Sequence, residues 1–235
     1  MSCAAPAESN DLFVVGRLAA AAGRAATNGR GFFACWRRLL PSGLWQGPAL
    51  APCAWVEEPD LPALGGLAAA RAAGANTLMA TSLPLVAQAS EHGLRALLRL
   101  PLPPDESSER QNQRLATLAD QVRLGLTLDG VVPAPQEASL GLASLLFVAR
   151  CRLTLAGVPH VLVDLDRVGP KLGQLCLGFG ADELAGPIVP ERPLRLGDNA
   201  GSPALTRQEA AELLRGAGLR ACERVAGGAL KELET

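Results

Sequence analysis

The feature that most constrains the fold is the stretch 158–191, where an apolar run, a glycine-proline turn, a helical pattern and an acidic turn follow one another. The run from Val158 to Leu165 is rich in valine and leucine, which favours a strand buried on both faces. Residues 171–178 then predict a short helix with three apolar residues on one face: Leu172, Leu175 and Cys176. This order of strand, turn, helix and loop is typical of a parallel α/β fold.

Helical and extended patterns alternate about six times along the 235 residues, without a long linker. We therefore expect one domain over 1–235, with a loose N-terminus at 1–10 and a C-terminal helical extension at 192–235. Such alternation gives a parallel sheet that is either open or rolled into a barrel. The patterns predict helices over 12–26, 61–73 and 139–156, strands over 31–36, 75–80 and 94–100, and a loop over 37–53. Thr206, with Glu209 three residues later, predicts a capping box for the last helix.

Composition excludes several classes of function. A hydrophobic share of 49% with 19% charged residues is typical of a folded globular protein. The net charge of −1, the 3% aromatic content and the lack of tyrosine predict no nucleic-acid partner. No apolar run is long enough to span a membrane, and the N-terminus does not resemble a signal peptide. We expect a cytoplasmic protein with reduced cysteines and no membrane contact.

Three pieces of sequence carry a resemblance to a known family: VARCRLTLAGVPHV, VGPKLGQLCLGFGADELAG and SPALTRQEAAELLRGAGLRACER. They lie in register within 143–224. They resemble the C-terminal part of the radical S-adenosylmethionine enzymes that make aminofutalosine and cyclic futalosine for menaquinone, a group that includes the synthases of the deazaflavin precursor. The resemblance implies a (βα) barrel.

This chain is shorter than the enzymes that it resembles. We therefore expect an α/β fold of the TIM-barrel type that is shortened or incomplete, with about six strands. An incomplete barrel exposes a sheet edge, and proteins usually cover such edges. We expect a protein partner, or a second copy of the chain, across that edge.

The cofactor that the resemblance implies is a 4Fe–4S cluster that binds S-adenosylmethionine. Such a cluster needs three thiolates in one loop, normally spaced CxxxCxxC. In this sequence no two cysteines lie within ten residues of each other, and Cys35 stands alone after the first predicted strand. We therefore expect no cofactor and no radical chemistry.

Four residues are candidates for contact with a ligand: His160, Asp164, Asp182 and Glu183. His160 is either a polar group with a backbone partner or a ligand contact. Asp182 and Glu183 lie side by side on a glycine-bounded turn, where two acids can bind a polar ligand. In the alternative, Asp182 braces the turn and Glu183 is solvated. Asp164 follows a strand, at the end where barrel sites lie. None of the four has the spacing of a metal site.

Two further groups stand in the predicted loop near Cys35. Arg37 and Arg38 either bind an anion or a partner's carboxylate, or are solvated. The tryptophans at 36, 45 and 55 predict either core packing, a loop over the barrel mouth or an exposed contact patch.

Two hypotheses follow from these patterns. The first is a degenerate relative of the futalosine enzymes that is non-catalytic and acts with a partner protein. The second is an acid–base enzyme or small-molecule binder on the same barrel, using the four candidates. The second requires at least one acid in a closed pocket with a raised pKa.

Overall fold

The described residues form a curled sheet of mainly parallel strands with helices packed on its outer face. The computed structural model describes residues 9–49, 51–191, 204–225 and 229–233. Within these ranges the strands are β1 (Arg30–Phe33), β2 (Trp36–Leu39), β3 (Trp45–Gln46), β4 (Cys53–Glu57), β5 (Thr77–Ala80), β6 (Arg95–Leu102), β7 (Gly130–Pro135), β8 (His160–Asp164), β9 (Glu183–Ala185), β10 (Ile188–Val189), β11 (Leu205–Thr206), β12 (Arg220–Arg224) and β13 (Leu230–Glu232). The helices are α1 (Leu12–Thr27), α2 (Leu61–Leu64), α3 (Leu67–Ala72), α4 (Leu83–Glu91), α5 (Ser108–Arg123), α6 (Leu142–Thr154), α7 (Leu165–Gly178) and α8 (Arg207–Gly216).

The strand order makes the sheet barrel-like. The parallel series runs β2-β4-β5-β6-β7-β8-β9-β1, and β12 pairs in parallel with the other side of β1. Only Ala34 and Cys35 separate β1 from β2. The two ends of the series therefore lie on one continuous segment, 30–39, and the sheet curls round on itself.

Strand alternation divides the side chains between the inside of the curl and the helices. One buried apolar cluster takes members from the seven strands β2, β4, β5, β6, β7, β8 and β9, together with Ala34, which follows β1: Ala34, Trp36, Cys53, Trp55, Met79, Leu97, Val132, Leu162 and Ala185. Their neighbours along the strands, such as Phe33, Leu98 and Val163, pack in a second cluster with the helices. Burial of each large apolar side chain stabilises the fold by roughly 1.5–3 kcal/mol.

Local sequence explains where the helices begin and end. The Asp11 carboxylate accepts hydrogen bonds from the backbone N–H groups of Phe13 and Val14, at 3.0 and 3.1 Å, and α1 ends at Asn28 in the left-handed conformation. Thr206 and Glu209 form the predicted capping box of α8. Gly169, at a φ of 71°, kinks α7 before Pro170.

Several predictions about elements need correction. The fold class is confirmed, but the sheet has more strands than about six. Residues 37–53, predicted as loop, contain β3 and most of β2, and β4 was missed. The predicted helix over 61–73 is broken at Gly65 and Gly66, which both have positive φ. Leu175 is exposed, and α7 is instead buried through Gly173, Cys176 and Leu177.

Two short strands form the edges of the sheet. Within the described residues the outermost strands are the short β3 and β13, and each pairs antiparallel with one neighbour. The predicted C-terminal helical extension needs correction, because its described part contains the strands β11, β12 and β13 beside α8, and β12 pairs with β1 in the main sheet. Residues 192–203 lie outside the described residues. Residues 1–8 of the predicted loose N-terminus, with Cys3, also lie outside them.

Candidate functional site

The four candidate residues lie at two opposite ends of the curled sheet. His160 begins β8 and Asp164 ends it, and both side chains point inward with Leu162 between them. Asp182 and Glu183 precede or begin β9, at the same amino end as His160. The structure therefore brings three candidates together and places Asp164 at the far, carboxyl end.

The carboxyl ends of the strands surround a cavity of about 530 Å³. This volume lies in the range of small-molecule pockets. It is lined by residues from β2, β4, β6 and β8, from β3 and the loop after it, from the start of α7 and from the segment after β9: Trp36, Arg38, Gln46, Gly47, Pro48, Trp55, Glu57, Arg99, Asp164, Asp166, Arg167, Gly186, Pro187, Ile188 and Val189. We call this cavity the mouth. It lies where TIM-type barrels carry their sites.

Alternating charges form a chain of ion pairs around the mouth. A guanidinium nitrogen of Arg38 lies 2.8 Å from an Asp60 carboxylate oxygen and 3.4 Å from one of Glu57. A guanidinium nitrogen of Arg99 lies 3.4 Å from a Glu57 carboxylate oxygen and 3.6 Å from one of Asp164, so Arg99 links the two acids. These cations are held in place by their acids and still face the cavity.

Trp36 and Trp55 form the apolar part of the mouth. Both are buried, and their ring centroids are 5.6 Å apart with the planes tilted by 58°. The indole Nε1–H of Trp36 is buried without a hydrogen-bond partner among the described residues. Buried indole N–H groups usually have a partner, so this unpartnered donor is an exception.

Two carboxyls at the mouth have a raised pKa. For Asp164, burial raises the pKa, and the nearby Arg99 only partly opposes it. For Asp166, burial raises the pKa and the Glu57 carboxylate raises it further. Acids with a raised pKa beside a cavity are typical of functional sites.

At the amino end, Asp182 is the centre of a buried hydrogen-bond network. Its carboxylate accepts bonds from the Arg152 guanidinium and, at 2.8 Å, from the backbone N–H of Val161. His160 Nδ1 lies 2.5 Å from the other carboxylate oxygen, and His160 Nε2 accepts a bond from Arg224 at 2.9 Å. This pattern fits a neutral imidazole with its proton on Nδ1. We expected a backbone partner for His160, and the structure gives it the Asp182 carboxylate instead.

Glu183 is fully buried, so the expectation that it is solvated is wrong. Arg95 binds its two carboxylate oxygens at 2.8 and 2.7 Å, and Arg224 binds the same oxygens at 3.2 and 2.9 Å. Burial raises the pKa of Glu183, but the Arg95 and Arg224 guanidiniums outweigh burial and hold the pKa well below its usual range. The strong pairing is what permits a carboxylate here, because an unpaired buried charge is very costly.

Sequence reasoning missed Glu57, Arg99 and the inward position of Arg38. The signal was present in part, since β6 alternates Arg95, Leu97 and Arg99 in the way that one face of a strand would. Arg37 and Arg38, for which the sequence left anion binding and solvation open, also differ from each other. Arg38 is paired with acids, and Arg37 bonds to the Ala49 carbonyl at 3.0 Å and stacks over Trp45.

The described cysteines do not fit an iron–sulfur cluster. All five are free and buried. Cys35 lies between β1 and β2 beside Cys53 of β4, and the other three lie on α6, α7 and β12. Burial and the Glu223 carboxylate raise the pKa of Cys35 to about 11, and burial raises the pKa of Cys53 to about 12. Cluster ligands must be thiolates, which these surroundings disfavour. Within the described residues no three His, Cys, Asp or Glu side chains group as metal ligands, and we derive no step through a cluster.

Comparison with known proteins supports the resemblance. A stretch of 92 residues is 36% identical to the aminodeoxyfutalosine synthase of Streptomyces coelicolor. This confirms the relation to the futalosine enzymes. The match covers 39% of this chain and 24% of that protein, so the chain spans about a quarter of its relative. No protein-family model matches the chain.

The fold of this chain resembles that of a solved structure. Methylornithine synthase superposes with a TM-score of 0.61 at 14% identity, over 90% of this chain and 89% of that chain. A maturase of the [FeFe]-hydrogenase gives a TM-score of 0.48 at 8% identity, over 75% of this chain and 61% of that chain. At such identities the likeness concerns the fold alone. No described helix is both long and apolar enough to cross a membrane.

Proposed function

We propose that this protein is a relative of the futalosine enzymes that binds a small, ring-bearing polar molecule in the mouth and does not carry out radical chemistry. The observation that supports it is the mouth itself, a cavity of about 530 Å³ that combines two tryptophans with paired arginines and acids. Apolar walls with a few converging polar groups are the usual composition of a ligand pocket.

The chemistry of the lining favours a ring with polar substituents. Trp36 and Trp55 offer aromatic surface on one side of the cavity. Arg38 and Arg167 are half-exposed at their cavity positions and can donate to an oxyanion. Glu57 and Asp164 can accept from hydroxyl or amino groups.

A titration calorimetry experiment tests the proposal. The probe is aminodeoxyfutalosine, the compound for which the Streptomyces coelicolor relative is named. We expect saturable binding that is roughly tenfold weaker in Arg38→Gln and Arg167→Gln, since a charge-assisted hydrogen bond is lost. Arg123→Gln is the matched control, because Arg123 is exposed on α5 and far along the chain from the mouth residues. Lack of binding, or equal affinity in all three variants, would contradict the proposal.

The non-radical part of the proposal has its own test. Anaerobic reconstitution with iron and sulfide should leave no bound cluster, and S-adenosylmethionine should remain uncleaved. The physical reason is that the described cysteines are separated and buried with raised pKa values. A bound cluster together with cleavage would overturn this part and leave the mouth as the site of a short radical enzyme.

A partner role is a second candidate. We propose that the outer edge of β13 pairs with a second copy of the chain. The three residues of β13 are exposed, and within the described residues this strand pairs only with β12. Light scattering on the purified protein should give a dimer that Leu230→Pro converts to a monomer, because proline removes a backbone donor from the edge. A monomeric wild-type protein would refute this candidate.

A further inference from the structure

We propose a second binding site at the amino end of the curled sheet, for a small molecule that carries a carboxylate or phosphate on an apolar body. A cavity of about 450 Å³ opens there, on the opposite side of the inner apolar cluster from the mouth. We call it the lower cavity. It does not involve the mouth residues and stands independently of the function proposed for them.

The polar lining of the lower cavity is cationic. Arg30, Arg224 and His160 line it, and none of its lining residues among those described is a carboxylate. The imidazole of His160 is already engaged through both nitrogens, so it contributes surface and position more than charge. The two guanidiniums are therefore the groups that would bind an anion.

Arg30 is the less satisfied of the two. Its Nε donates to the Thr27 carbonyl at 3.2 Å, and its guanidinium lies 5.8 Å from the centre of the Phe32 ring. No described carboxylate forms an ion pair with it. Its two terminal nitrogens thus remain as donors at the edge of the cavity.

Arg224 is fixed from behind by the buried network. It shares Glu183 with Arg95, and it lies 4.9 Å from the centre of the same Phe32 ring. One carboxylate therefore serves two guanidiniums. The local excess of positive charge, held rigidly, is what a preorganised oxyanion site needs.

The remaining lining sets the shape of the ligand. It comes from the end of α1, the loop between α6 and β8, and β13, and it is mostly small or apolar: Ala26, Ala156, Gly157, Val158, Pro159 and Leu230. The volume is larger than one inorganic anion requires. An apolar body attached to the oxyanion fills the rest and adds burial of apolar surface.

Equilibrium binding followed by NMR tests this site, with inorganic phosphate and phenylacetate as two separate probes. We expect saturable shifts for at least one probe, and binding about tenfold weaker in Arg30→Met because charge-assisted hydrogen bonds are lost. Arg17→Met, an exposed arginine on α1, is the matched control and should bind as the wild type does. Arg30→Lys keeps the charge and should restore part of the affinity.

The outcomes separate the two sources of the oxyanion. Stronger binding of phosphate supports a phosphorylated ligand, and stronger binding of phenylacetate supports a carboxylate with an apolar body. The site is overturned if neither probe binds saturably. It is also overturned if the Arg30→Met and Arg17→Met variants bind the probe with equal affinity. Arg30 makes no ion pair with the buried network, so its loss should leave the fold intact, and an unchanged thermal unfolding midpoint checks this. Aminodeoxyfutalosine binding at the mouth is measured separately, so either site can fail alone.

Discussion

At the scale of single residues, the buried ion cluster around Glu183 decides how the amino end is built. The acidic pair at 182–183 was evident in the sequence, but its partners were not. Arg95 and Arg224 lie 88 and 41 residues away along the chain. The order of the strands and the curl of the sheet bring β6 and β12 to the Glu183 carboxylate, and the sequence around 182–183 does not contain that information.

Glu183→Gln should destabilise the protein by about 3–5 kcal/mol, because it leaves Arg95 and Arg224 without their carboxylate. The matched control is Glu232→Gln, which removes a half-exposed partner of Arg220 and should cost less than about 1 kcal/mol. Chemical denaturation of the three proteins measures the free energies of unfolding. Equal values for wild type and Glu183→Gln would contradict the assigned role.

The same variant should change the dependence of stability on pH. The pKa of Glu183 is lower in the folded state than its unfolded value of about 4.3. The contribution of the ionised Glu183 to the free energy of unfolding is therefore complete above that pH and decreases as the pH falls through the folded pKa. The difference in unfolding free energy between wild type and Glu183→Gln should narrow below about pH 4.

At the scale of elements, strong local signals were predicted and weak ones were missed. The buried strand at 160–164, the helix at 12–27 and the capping box of α8 agree with the sequence patterns, because each depends on neighbouring residues. The strands β2, β3 and β4 were missed. They are two to five residues long, lie among prolines, and contain inward Arg38 and Glu57, so the usual apolar signal is absent.

The residues of the candidate site also divide into those that the sequence predicted and those that it did not. Asp164 was predicted because a residue at the end of a parallel strand faces the barrel mouth. Arg99 and Glu57 were not predicted as site residues. Charged residues are rarely buried inside a sheet unless they are paired, and the sequence did not show that these two pair with each other. The positions of His160 and Asp164 at opposite ends of one strand followed from the sequence, whereas the grouping of His160 with Asp182 and Glu183 required the structure.

At the scale of the whole molecule, the curled sheet presents two different ends. The carboxyl end has aromatic rings and alternating charges around the mouth, and the amino end has a cationic lower cavity over a buried network. The fold likeness to methylornithine synthase extends over 90% of the chain, while the identity to aminodeoxyfutalosine synthase covers 39%. The likeness to methylornithine synthase thus concerns the fold, and the central claim concerns what the mouth binds.

The most direct measurement is a fluorescence titration of the Trp45→Phe variant with aminodeoxyfutalosine. The chain has three tryptophans, and this variant leaves Trp36 and Trp55, both in the mouth, as the sources of emission. We predict a saturable change in emission, shifted to about tenfold higher ligand concentration when Arg38→Gln is added. Emission that stays constant through the titration, or a curve that Arg38→Gln leaves unchanged, would contradict binding in the mouth.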